Sequence, residues 1–169
     1  MIRVDIETII MAAGPVPSVI VLRERNESVG AGAPPRALSI QTGSFEAAAI
    51  SRGIDRTDRT EEPRPITHDL MNAALTALDA KVERVEINRV DLPVFFADLV
   101  VLDKDGKELS IDARPSDALA LAVRVNAPIY VEDDVMNRAG SISARSDDNA
   151  EEEIERFDEF VQTLSPDDF

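Results

Sequence analysis

The sequence predicts an α+β fold: two β-β-β-α units forming a mixed or antiparallel curved sheet with helices packed on it, followed by an acidic amphipathic helix. Three observations carry this. Apolar and polar residues alternate with period two in several short runs bounded by glycine or proline, as in Ile2-Arg3-Val4-Asp5-Ile6. The order of three strands and then a helix occurs twice. Leu38-Ser39-Ile40 matches Leu109-Ser110-Ile111 at a constant shift of 71, and Ala47 and Ala49 then match Ala118 and Ala120. Finally, 44% hydrophobic residues suffice for a core, and with only 4% aromatic residues that core must be aliphatic.

In chain order, Ile2 to Ile10 is a half-buried strand ended by Gly14-Pro15-Val16-Pro17. Val19 to Leu22 is a second strand, joined by a surface loop over Asn26 to Pro35 to a third at Arg36 to Thr42. Ser44 to Arg52 follows Gly43 as a helix, and Ile54 to Pro65 is a charged surface loop. Thr67 reads as the N-cap of a helix over His68 to Leu78, with Leu70, Ala74, Leu75 and Leu78 as its apolar face. Val82 to Val90 and Val94 to Leu102 are strands, and the turn at Asp105-Gly106 leads to a strand over Lys107 to Ile111.

That strand runs straight into a helix. Pro115 suits the first turn, where its missing N–H would have no partner, and Ala118 to Arg124 is dense in helix formers. Asn126-Ala127-Pro128 stops the helix, Ile129 to Val131 is a short strand, and Asp133 or Asp134 caps a single turn through Met136. The domain expected is therefore 1–136. A polar linker over 137–149 and a tail over 150–169 follow, with Ile154, Phe157, Val161 and Leu164 on one stripe of the tail helix.

The formal net charge is −15, and ten acids stand against Arg156 alone from Asp147 onward. Such a chain lacks the basic stripe of a tight nucleic-acid binder, so any contact with RNA or DNA is expected to be transient, metal-bridged or confined to a local basic patch. The absence of cysteine excludes disulfides, thiolate metal sites and a cysteine nucleophile. Asp5 and Glu7 interrupt the apolar N-terminal stretch, so neither a signal peptide nor a membrane span is expected, and the location expected is cytoplasmic.

Chemistry-bearing residues gather at the helix starts. Glu46 and Asp117 occupy matching positions of the two repeated segments, so packing about a pseudo-twofold would bring them together. Glu46, Asp112 and Asp117 are candidate oxygen ligands for magnesium or manganese. His68 is the sole histidine and a candidate general base, while Arg64 and Arg114, each preceding a proline, are candidate phosphate clamps. The same residues suit a structural corner: acids favour helix starts, and Arg114 can simply neutralise Asp112 and Asp117. Likewise, Arg64 can pair with Asp69.

Three motifs then agree in order with a known family. Pro63-Arg64-Pro65-Ile66-Thr67-His68-Asp69-Leu70, Ile111-Asp112-Ala113-Arg114-Pro115-Ser116-Asp117-Ala118-Leu119-Ala120-Leu121 and Ala127-Pro128-Ile129-Tyr130-Val131 resemble the bifunctional nuclease domain family. Gly43-x-x-Glu46-Ala47-x-Ala49-Ile50 agrees with its earlier motif. The resemblance spans Met1 to Met136 and leaves out the acidic tail. Ala48 and Ser51 stand where the family usually carries bulky aliphatic residues, a difference in packing rather than chemistry. It implies an α+β domain to which DNase and RNase activities have been ascribed. Two functions are thus expected. One is a metal-dependent nuclease using Glu46, His68, Asp112, Arg114 and Asp117. The other is a non-enzymatic interaction or regulatory module, a homo-oligomer with a dimer favoured, that binds a protein partner through its tail helix.

Overall fold

The computed structural model describes residues 1–13, 15–25, 34–55 and 64–142. Eight strands form one sheet, mostly antiparallel, in the order β6-β5-β4-β7-β1-β2-β3-β8. Strands β1 (Ile2–Ile10), β2 (Ser18–Glu24) and β3 (Arg36–Thr42) make an antiparallel meander that leads into α1 (Ser44–Ile54). After α2 (Thr67–Ala77), strands β4 (Lys81–Asp91), β5 (Val94–Leu102) and β6 (Glu108–Ala113) make a second meander that leads into α3 (Pro115–Val125). Strand β7 (Ile129–Val131) enters between the meanders, parallel to β4 and antiparallel to β1. In the sheet centre Ile129 and Val131 are both buried, and the Pro128 carbonyl accepts from the Val85 N–H of β4.

Alternation supplies the core. Ile2 and Val4, Ile20 and Leu22, Leu38 and Ile40, and Val85 and Ile87 are all buried. Helix α3 closes over this layer with Ala118, Leu119, Leu121 and Ala122 buried, and packs on α1, α2, β4 and β5. Each large aliphatic side chain so removed from water stabilises by about 1.5–3 kcal/mol before chain entropy is charged against it. Helix α3 begins at Pro115 and ends at Asn126, whose left-handed backbone (φ 55°) an asparagine tolerates.

Several expectations need correction. Thr67 is the first helical residue of α2 and not its N-cap: the Ile66 carbonyl accepts the first helical bond, and the Ile66 N–H donates to Asp69 Oδ2 (2.9 Å). The apolar face expected for that helix is not buried; Leu70 and Leu78 are exposed, and only Leu75 packs partly on the core. Past Met136 the chain does not become linker at once. Helix α4 spans Asp133–Ala139, and β8 (Gly140–Ile142) pairs with β3. A buried acid holds this end: Glu24 bonds the Arg36 guanidinium (2.6 Å) and backbone N–H, and Arg36 Nη1 donates to Asn137 Oδ1 (2.7 Å). The expected tail helix, with Ile154, Phe157, Val161 and Leu164, and most of the loops over 26–35 and 54–65 lie outside the described residues. Among the described residues, no helix is long and apolar enough to cross a membrane.

Helices α1 and α3 approach closely at Gly53. A Cβ built there would lie 2.5 Å from Val123 Cγ2 and 2.8 Å from Arg124 Nη1. Gly53→Ala is therefore expected to destabilise by about 1–3 kcal/mol, although alanine is the better helix former by about 1 kcal/mol. The urea midpoint measures this, and a variant more stable than the parent would refute the close approach.

Candidate functional site

The starts of all three packed helices and the end of β6 meet at one pocket of about 780 Å³. Glu46 comes from the first turn of α1, His68 from that of α2 and Asp117 from that of α3. Asp112 and Arg114 come from the β6–α3 junction, and all five line the pocket. The convergence expected of them is thus present. Arg64 is exposed and is not among the lining residues.

Arg114 is the hinge of the arrangement. Its Nε donates to Asp117 Oδ2 (2.7 Å) and Nη2 to Asp117 Oδ1 (3.2 Å), while Nη1 donates to Glu46 Oε1 (3.2 Å). The two acids expected at matching positions are therefore bridged by one guanidinium. That side chain remains 65% exposed. Three of its five N–H groups are engaged, which leaves one on each terminal nitrogen for a ligand.

His68 Nε2 lies 3.1 Å from Asp117 Oδ1, with the imidazole largely buried. Burial pushes the Asp117 carboxyl up, but hydrogen bonds from Arg114 and His68 outweigh that and hold it below the ordinary carboxylate value. The hydrogen bond to Asp117 in turn holds the Arg114 guanidinium above its ordinary value. An ionised carboxylate only accepts, so Nε2 carries a proton, and in the neutral form of the ring the lone pair falls on Nδ1. Asp117 thus both orients the imidazole and selects its basic nitrogen.

The ligand set expected for magnesium or manganese fares differently. Glu46 and Asp117 share their oxygens with Arg114, whose positive charge a divalent cation would have to displace. The Asp112 side chain makes no hydrogen bond or ion pair among the described residues, while its backbone pairs in register with Asp98 of β5. No three His, Asp or Glu side chains among the described residues are disposed to hold one metal ion. The residues present do not fit a metal as arranged; Glu46, Arg114, Asp117 and His68 form a set of mutually paired groups, with Asp112 beside it.

Three features of the site were assigned no role from the sequence. Phe45, Met71 and Ile111 give the pocket an apolar rim. Gly43 makes room for the Glu46 carboxylate, whose Oε2 would lie 2.3 Å from a Cβ at that position. Beneath the pocket, Arg124 is only 1% exposed and bonds Asp69 Oδ1 (2.7 Å) and the carbonyls of Ala49 (3.0 Å) and Ala120 (2.6 Å). Arg64 was a candidate partner for Asp69; Arg124, which no reading of the chain put there, is a partner.

The bifunctional nuclease domain family matches residues 20–144, well over half of the chain. Two uncharacterized proteins from two strains of Mycobacterium tuberculosis are each 40% identical over 157 residues, a span covering 89% of this chain and 87% of the relative.

Proposed function

The chain belongs to the bifunctional nuclease domain family, and from that premise we propose that it cleaves phosphodiester bonds of RNA, with His68 as general base, Asp117 orienting it and Arg114 holding the phosphate. The observation that carries this reading is the His68–Asp117–Arg114 network at the pocket wall. RNA brings its own nucleophile, so one positioned base and one cation suffice where no metal activates water. The 2′-oxygen bonds phosphorus as its proton passes to His68 Nδ1. The 5′-oxygen leaves and takes a proton from water, and a 2′,3′-cyclic phosphate remains. Charge developing on the phosphoryl oxygens meets the two free Arg114 N–H groups. Glu46 keeps the guanidinium in place from the other side.

The mutual pairing of the charges favours a second reading, in which Glu46, Arg114, Asp117 and His68 only lock three helix starts together in a non-enzymatic, oligomeric module. One assay separates the two. Purified protein is given single-stranded RNA or DNA with magnesium, with manganese, or with chelator. RNA cleavage that survives chelator and yields a cyclic phosphate is the expected result. Activity lost to chelator and restored by manganese would replace the present mechanism with the metal-dependent one. No cleavage in any arm would leave the structural lock standing.

A further inference from the structure

Building on the nuclease reading of this pocket, we propose that Phe45 is a stacking platform for an unpaired base, so that the substrate is single-stranded and draws most of its affinity from stacking rather than from phosphate contacts. Phe45 is the second residue of α1, beside Glu46, and its side chain lines the pocket while 89% exposed. It is the one exposed aromatic residue among those described: Phe95, Phe96 and Tyr130 are all partly buried. Met71 and Ile111 extend the apolar rim beside it, and the pocket volume lies in the range that holds a small ligand.

Charge decides what sort of ligand such a rim can take. The net charge is −15, and among the described residues Arg114 is the only lysine or arginine lining the pocket, with Glu46, Asp112 and Asp117 around it. A duplex presents phosphates and keeps its base faces stacked inside, so it offers this surface little. A single strand can lay a base on an aromatic ring, and each such contact strengthens binding by about 5- to 150-fold whatever the base. With one cation to contact one phosphate, the logarithm of affinity should fall with the logarithm of salt with a slope near about −0.7.

The test uses full-length protein and a fluorescent RNA oligonucleotide carrying 2′-O-methyl groups throughout, which binds without being cut. Anisotropy is read for the single strand and the matched duplex across a salt series. Expected are a preference for the single strand, the shallow salt slope, an affinity about 5- to 150-fold lower for Phe45→Ala, and recovery with Phe45→Trp. Equal binding of the duplex, a slope of several units, or full affinity in Phe45→Ala would overturn the proposal. Sedimentation of the same proteins supplies a further check. A dimer that Phe45→Ala converts to monomer with unchanged oligonucleotide binding would assign the ring to self-association and overturn it too. Cleavage of unmodified RNA by the parent and by Asp117→Asn is scored separately. Asp117-dependent cleavage combined with a neutral Phe45→Ala sinks the stacking platform alone, whereas no binding and no cleavage by the parent sinks both readings.

Discussion

Arg124→Ala is expected to cost about 3–5 kcal/mol of folding stability, the largest loss from any single charged residue described here. The guanidinium is buried to 1% exposure and ties three helices: Asp69 of α2, the Ala49 carbonyl of α1 and its own α3 through Ala120. Truncation removes the cation but leaves the Asp69 carboxylate largely buried, with the Ile66 N–H still donating to it. It also strips the aliphatic stem from the α1–α3 contact and leaves a cavity. In a chain of this size the melting temperature should fall by about 6–20 °C. Adding Asp69→Asn to Arg124→Met tests the cause. If loss of the Arg124–Asp69 ion pair dominates, the double variant is less destabilised than the two single changes together would give. Additive losses would show instead that packing of the stem carries the effect.

The contrast between Arg124 and Asp117 shows what was legible in the chain. Elements built from adjacent residues could be read directly. Pro115 and Asp117 mark a helix start by their own backbone and charge preferences, and the alternation in Ile2 to Ile10 marks a half-buried strand. The order of strands and helices was legible for the same reason. The approach of Glu46 to Asp117 was expected only if the halves packed together, and the packing of α1 on α3, with Arg114 between the two acids, brings it about. Pairings that depend on tertiary placement were not. Asp69 and Arg124 are 55 residues apart, and nothing in either neighbourhood distinguishes Arg124 from Arg64 as a partner. Strand β7 has three residues, too few for periodicity to say that it occupies the sheet centre. Helix α2 shows the opposite failure. Its apolar spacing is regular, yet Leu70 and Leu78 are exposed, and α2 is held instead by the Asp69 ion pair to Arg124 of α3 and by Leu75 packed against the core. The chain offered both a metal set and an arginine neutralising acids; it did not show that the acids Arg114 bridges are Asp117 and Glu46, which is 68 residues away, rather than Asp112.

Asp117→Asn is expected to lower RNA cleavage by about 10²- to 10⁴-fold while the fold persists. The amide keeps the size of the carboxylate but changes what it can do. An acid held below its ordinary value stays ionised across the neutral range, and only an ionised group accepts from both His68 Nε2 and Arg114 Nε. An asparagine can turn its NH₂ toward the imidazole, reversing the tautomer and placing the proton on Nδ1, where a base is needed. His68→Ala removes that base outright. If the two residues act as one unit, the double variant is no slower than the worse single variant, because each change already disables the same proton transfer. If they only brace the helix starts, the variants lose stability and leave the rate per folded molecule unchanged. The discriminating measurement is therefore the cleavage rate at saturating RNA, corrected for the folded fraction by circular dichroism. A rate in Asp117→Asn within a few-fold of the parent would remove His68, Asp117 and Arg114 from the chemistry together, since the same carboxylate positions the other two.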